Sequence, residues 1–266
     1  MAIITISRGS YTKGRETAEK LADKLGYECI GRKVLIEASQ EFNIPEIKLI
    51  RALHNVPSVL DRFTYGKERY ITFIRRRLLE SVQKDNVVYH GLAGHFFLQG
   101  IPHAFMVRII ADLEHRIREE MRRESISYEK ARQILVKDDQ ERRKWAQHLY
   151  GIDTSDPSLY DLVIGIDRLQ VDDAVDIIAD AVQRPAFQTT GESQAKLDNL
   201  VAAARIESEL VMSYPGAKCV IKDGTAHCSI KESPSKEDKI NAHVQELLRD
   251  HTEIDAIQLH VNPVAD

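Results

Sequence analysis

Apolar residues follow two rhythms along this chain, and each change of rhythm marks an element. An apolar run from Ala2 to Ile6 leads into a turn holding Gly9 and Gly14, after which Ala18, Leu21, Ala22 and Leu25 recur at helical spacing. That order predicts a strand, a glycine turn and a helix. Further apolar runs at 86–90 (NVVYH), 105–110 (FMVRII) and 160–166 (YDLVIGI), with a weaker one at 27–30, predict buried strands joined by helices. Such an alternation defines an α/β chain, a parallel sheet covered by helices on both faces. A long helical insert, 32–84, separates the second strand from the third and is broken near Pro45 and Pro57. Its last helix carries Arg75, Arg76 and Arg77, expected on the exposed side because Ile71, Ile74 and Leu78 face inward. A second excursion, 113–151, is helical and heavily charged, and the helix at 171–182 sets Ala174, Ile177, Ile178 and Ala181 on one face.

At 184–193 (RPAFQTTGES) the apolar rhythm stops and Pro, Gly, Thr and Ser accumulate, so residues 186–193 read as a linker between domains at 1–185 and 194–266. Beyond it the pattern predicts a small α+β unit. A helix at 194–213 precedes a hairpin across Asp223-Gly224, a helix at about 236–250 and a strand at 256–261, in the order α-β-β-α-β. Asp-Gly between alternating segments is a two-residue hairpin turn. Counting outward from it pairs Lys222 with Thr225 and, three steps on, Cys219 with Cys228, on the side of Ile221 and Ile230.

Bulk properties narrow the functional classes. With 266 residues, 43% of them hydrophobic, the chain has material for one large or two smaller cores. A formal charge of −4 and a pI near 6.2 give no support for an extended nucleic-acid surface, so any anion site must be local. No apolar stretch approaches the roughly 18 residues of a membrane span, and the N-terminus lacks a basic segment followed by an apolar signal region. A cytoplasmic location is expected. Cys29, Cys219 and Cys228 are too few and too dispersed for a disulfide framework or a CxxC metal site, and read as reduced thiols.

The candidate chemistry is phosphate binding. Gly9 to Gly14 has the G-x-x-x-x-G spacing of a loop whose backbone N–H groups, with the following helix N-terminus, hold an anionic phosphate. Ser10, Thr12 and Lys13 lie within that loop, Arg15 stands where lysine is expected, and Thr17 offers a hydroxyl to a nucleotide-bound magnesium ion. A strand, turn and helix with two glycines also opens many α/β domains that bind no phosphate. Arg116, Arg118, Arg122 and Arg123 alternate with Glu114, Glu119, Glu120 and Glu124, which taken alone is the pattern of a solvated helix laced with i,i+4 pairs.

Together, the turn at 9–17, the His90-Gly91 pair, VRIIADLEHR, KDDQERR and the YDLVIGI strand make residues 1–185 resemble the cytidylate kinase-like branch of the P-loop nucleoside monophosphate kinases. The resemblance implies a P-loop kinase-type sheet, ATP and Mg2+ as cofactors, and transfer of the γ-phosphoryl group to CMP, dCMP or a related nucleotide or small-molecule acceptor. It places Gly9, Ser10, Thr12, Lys13, Gly14, Arg15 and Thr17 at the donor phosphates, with Thr17 also on the metal. Arg15, Arg116, Arg142 and Arg143 become the catalytic charges, and Asp139 belongs to the lid's aspartate-arginine motif. It makes the 32–84 insert the acceptor-binding arm and 113–151 the lid. Family members carry Gly-Arg-Asp after the third strand, where this chain has Gly91-Leu92-Ala93, flanked by His90 and His95 as candidate replacements. The divergence leaves open a nucleotide-binding regulator without turnover, or a kinase of a non-nucleotide. Residues 194–266 resemble a BON domain, implying a protein partner, a lipid or self-association.

Overall fold

The computed structural model describes residues 1–8, 11–31, 33–41, 66–91 and 94–263. The expected turn residues Gly9 and Ser10, the middle of the insert (42–65) and Leu92-Ala93 lie outside the described residues. Five strands, β1 (Ile3–Arg8), β2 (Glu28–Ile30), β3 (Val87–His90), β4 (Ala104–Ile110) and β5 (Leu162–Gly165), form one parallel sheet in the order β2-β3-β1-β4-β5. The central strand has neighbours on both edges and helices on both faces, so that even its polar Thr5 is buried beside Ile4 and Ile6. Ile4 lies beside Val88 and Phe105, and Ile6 beside His90 and Val107.

Helices cover both faces. On one, Ala18, Leu21 and Ala22 of α1 (Tyr11–Leu25) pack with Ala174, Val175 and Ile178 of the helix at 171–182 against Ile4, Ile6 and Val107. That second helix turns Val171, Ala174, Val175, Ile178 and Val182 inward, while Ile177, expected in the core, is exposed. The opposite face is covered by α2 (Lys33–Glu41), α3 (Gly66–Val82) and the short α4 (Gly94–Phe97), through Val34, Ala38, Ile74, Leu78 and Leu98. The charged excursion is a helix pair, α5 (Leu113–Glu124) and α6 (Tyr128–Tyr150), capped by Asp112 and Ser127. With the helix at Val171–Val182 as α7, the long helix α8 spans Gly191–Ser213 and α9 spans Glu237–Leu247.

The stretch expected as a linker is tied down. Its Thr189 N–H and hydroxyl both reach the Met1 carbonyl (3.0 and 2.8 Å), the terminal ammonium donates to Gln188 (2.7 Å), and Phe187 packs on Phe105. Thr190 and Ser193 then cap α8 reciprocally, so the helix starts three residues before the expected 194. Twenty-three residues at 1.5 Å each span about 35 Å, enough to serve two cores. Leu197, Val201 and Ala204 enter the core of the large sheet, whereas Ala202, Ala203, Ile206 and Leu210 enter a separate one.

That second core belongs to a three-stranded sheet, β6 (Lys218–Lys222), β7 (Thr225–Lys231) and β8 (Ala256–Asn262), in that order. The β6–β7 hairpin has the register counted from the sequence. Cys219 faces Cys228 with Sγ atoms 3.8 Å apart, both buried thiols beside Ile221 and Ile230. Asp223 (φ 47°) and Gly224 (φ 72°) both take the left-handed conformation that a two-residue hairpin turn requires. Helix α9 crosses over so that β8 runs parallel to β7, burying Ile240 and Val244.

Arg75, Arg76 and Arg77 are not a solvent face, contrary to the amphipathic reading. Arg75 pairs with Glu207 of α8, Arg76 donates to Ser208 (2.9 Å) and Arg77 to Glu37 of α2 (3.0 Å). Arg205 reaches back from α8 to Glu80 (2.8 Å), and Arg69 caps the carbonyls of Val211 and Met212. A helical wheel of α3 alone cannot reveal this, because the covering helix lies more than a hundred residues downstream. No described helix is long and apolar enough to cross a membrane.

Candidate functional site

Ligands of open parallel sheets bind beyond the carboxyl ends of the strands, where the order reverses, which here is the mouth around the ends of β1, β3 and β4. Helix α1 begins at Tyr11, so Thr12, Lys13 and Gly14 belong to its first turn and the connection from β1 is two residues long. Gly14 is buried, and the Thr12 side chain lies outside the described set. Lys13 is enclosed: its Nζ lies 3.2 Å from His115 Nε2 and 3.4 Å from Glu119, both on α5. Arg15, two positions on, points outward and pairs with Glu19 on the helix surface (2.7 Å). Thr17 is fully buried and donates its hydroxyl to the Lys13 carbonyl (2.7 Å). A hydroxyl so placed serves its own helix and is not open to an ion.

His115 links this turn to the end of the sheet. Its Nδ1 lies 3.5 Å from Asp167, whose carboxylate also accepts the Asp112 N–H (2.7 Å) at the start of α5. An ammonium has only donors, so the contact with Lys13 requires an unprotonated Nε2 and puts the imidazole proton on Nδ1, facing Asp167. Lys13, His115 and Asp167 thus connect α1, α5 and the segment just after β5.

The residues of the charged helix pair meet one another. Arg116, nine-tenths buried, makes a two-pronged bond to Asp139 (2.6 and 2.9 Å) that clamps α5 to α6. Its buried Nε has no partner among the described residues. Arg143 is exposed and stands 3.9 Å from Asp153, while the Arg142 side chain lies outside the described set. Asp153 is held below the usual carboxylate range mainly by the Ser155 N–H and hydroxyl, with Arg143 and then Arg108 adding their charge. At β3, the His90 ring rests on Gly31, where a Cβ would strike its Cε1 and Nε2, and the Tyr89 phenol folds over Gly91. Both glycines therefore permit close approach of side chains.

Sequence reasoning missed the centre of the mouth. Arg108 of β4 donates to the Tyr160 hydroxyl (3.1 Å), with its guanidinium carbon 5.4 Å from that ring. Tyr160 donates in turn to the Thr154 carbonyl (3.0 Å) and lies 3.3 Å from the Ser7 hydroxyl of β1. The available signal was a charged residue between two fully buried ones, Val107 and Ile109, since arginine rarely enters a buried strand without a task.

A β2-β3-β1-β4-β5 parallel sheet, with a helix springing from its central strand and a charged helix pair over its mouth, defines the class of α/β P-loop kinase-type proteins. Within that class the cytidylate kinase-like family model matches residues 3–168, and the chain belongs to that family. Among curated relatives, the cytidylate kinase of Staphylothermus marinus is 28% identical over 192 residues, 69% of this chain and 98% of that one. The Pyrococcus furiosus cytidylate kinase is 31% identical over 130 residues, 48% of this chain and 65% of the relative. A crystal structure of an uncharacterized protein from Eubacterium ventriosum superposes with a TM-score of 0.53 at 20% identity, covering 68% of this chain and 97% of that one, a likeness of fold. The family match ends at residue 168, so α7, α8 and the small sheet lie beyond it.

Proposed function

We propose that this chain is a cytoplasmic phosphotransferase that moves the γ-phosphoryl group of ATP to a nucleoside monophosphate, with CMP and dCMP the first candidates. The observation that carries the reading is Lys13, an ammonium enclosed at the start of α1 and held by His115 and Glu119 of the lid helix. A donor triphosphate at this helix N-terminus meets Lys13 and the first-turn N–H groups of Thr12 and Gly14, and Gly9 and Ser10 are assigned to the same phosphates by sequence. Arg116 keeps an Nε unused by Asp139, and Arg143 is exposed beside the same mouth. With Arg142 they are the lid charges assigned to the transferring group, where alignment and neutralisation lower the barrier more than covalent help does. His90 and Gly91 line the acceptor side.

Thr17 does not fit the role of magnesium ligand, and the described residues contain no cluster of three or more His, Cys, Asp or Glu side chains suited to a metal.

The same observations favour a second reading. Arg15 turns outward to Glu19 and Thr17 inward to its helix, as in a nucleotide-binding regulator that keeps the fold without turnover. In either reading the α-β-β-α-β unit, which resembles a BON domain, serves a protein partner, a lipid or self-association. A magnesium-ATP transfer screen over nucleoside monophosphates and small-molecule acceptors, run beside calorimetric binding of the same ligands, tests both. Turnover supports the enzyme, ATP binding without turnover supports the regulator, and absence of both overturns the site.

A further inference from the structure

Arg108 stands in the middle of the mouth, and none of the roles above uses it. Its Cα lies beside Ser7 of β1 and Val163 of β5, close to the carboxyl end of both β1 and β4. A half-buried guanidinium ordinarily finds a carboxylate, because removing a charge from water is costly unless it is compensated. Arg108 instead has a neutral phenol as its hydrogen-bond partner and ring support, and no ion pair among the described residues. The carboxylate that feels its field, Asp153, is held by Ser155 and stands nearer Arg143. Two guanidiniums, one on the sheet and one on the lid, therefore direct positive potential at one region.

Orientation reinforces the point. The Tyr160 hydroxyl gives its single proton to the Thr154 carbonyl and so presents lone pairs to Arg108 and to Ser7. The guanidinium is steered by a group that leaves its charge intact, with Nη2 and Nε available for a two-pronged anion. It also lies on the sheet face that carries Met106, which packs in the same core as the insert helices α2 and α3. After β3 the sequence reads Gly91-Leu92-Ala93, with no positively charged side chain.

We propose that Arg108, positioned by Tyr160, binds the phosphomonoester of the acceptor and supplies from β4 the charge that the turn after β3 lacks. The assignment rests on the kinase reading above and names the acceptor-phosphate contact within it.

The test is calorimetric titration of the full chain and its Arg108→Met, Arg108→Lys and Tyr160→Phe variants with CMP, the other nucleoside monophosphates, cytidine and ATP. Losing one charge-assisted pair should weaken monophosphate binding by about 10- to 100-fold in Arg108→Met, with ATP and cytidine unchanged. Arg108→Lys should recover part of the loss, because it restores charge without the planar fork. Tyr160→Phe keeps the ring and removes the steering hydroxyl. It should weaken monophosphate binding while leaving ATP binding alone, a split that general loosening of the fold would not produce. Monophosphate affinity equal to wild type in Arg108→Met overturns the assignment and leaves the kinase reading standing. Wild-type protein that binds ATP but none of the monophosphates also overturns it, and failure to bind ATP removes the reading beneath it. If Arg108→Met does not fold, undiminished affinity in both other variants is the overturning result.

Discussion

Replacing Glu207 with alanine should uncouple α8 from the two bodies it joins. The carboxylate is only 3% exposed and has two duties, since one oxygen pairs with Arg75 of α3 and the other accepts the Cys219 N–H of β6 at 2.9 Å. Removing it leaves a guanidinium and a buried amide without an acceptor. Breaking a buried ion pair costs about 3–5 kcal/mol, but the Arg75 side chain is one-fifth exposed and rehydrates in part, so the pair lies at the low end. The stranded amide costs about 1–3 kcal/mol on its own, and because both losses pass through one carboxylate they do not add. The net expectation is about 3 kcal/mol. Glu207→Gln keeps an oxygen for Cys219 and gives up only the charge, so about half that loss is expected. Urea unfolding followed by circular dichroism measures the totals. The reaction of Cys219 and Cys228 with a thiol reagent shows where the damage lies, since both are buried in the native hairpin and open with the small core. A loss below about 1 kcal/mol for Glu207→Ala, or a glutamine variant as damaged as the alanine one, would refute the two-duty account.

Three further outcomes are expected. Lys13→Ala should weaken ATP binding more than Arg15→Ala, the reverse of the ranking that the sequence register implies; calorimetry decides, and an equal or larger loss in Arg15→Ala returns the donor contact to Arg15. His251 is pushed up to about 9, chiefly by its bond to Glu209 and with help from Glu253 against burial. Its folded value lies above the unfolded one, so its stabilisation is complete below about pH 6.5 and fades as pH rises through about 9. His251→Asn should flatten urea stability across that window, and an unchanged slope sinks the assignment. Gly224→Ala should destabilise the hairpin by about 1–3 kcal/mol, because φ is 72° there and a Cβ would collide with the Asp255 carboxylate. Partial recovery in the Gly224→Ala, Asp255→Ala pair would separate the collision from backbone strain, measured by thermal unfolding.

The fold was legible where local pattern and tertiary environment agree. Residues 2–6 read as a buried strand because four of the five are apolar, as the centre of a parallel sheet favours, and Asp223-Gly224 fixed the hairpin register down to the facing cysteines. The junction at α8 was less legible. A helix apolar on two sides reads as an ordinary amphipathic segment with slack at its start, and only the tertiary structure reveals that Leu197 and Ala203 serve different cores. The same blindness made Arg75 to Arg77 look solvated, since nothing local announces Glu207 or Ser208 on a helix so far along the chain.

The site was hidden for a related reason. A phosphate loop is read from glycine spacing, but spacing fixes where a residue stands in the chain and not which way it faces once the helix has begun. Starting α1 at Tyr11 places Gly14 inside the first turn and Arg15 and Lys13 two positions, about 200°, apart around the axis. The two side chains therefore leave opposite sides of the helix, Lys13 toward Glu119 of α5 and Arg15 outward to Glu19. Arg108 and Tyr160 escaped because each sits in a segment whose apolar neighbours had already explained it as a strand. A charge inside such a run is the detail that pattern matching averages away, although the cost of burying it makes it the most informative residue there.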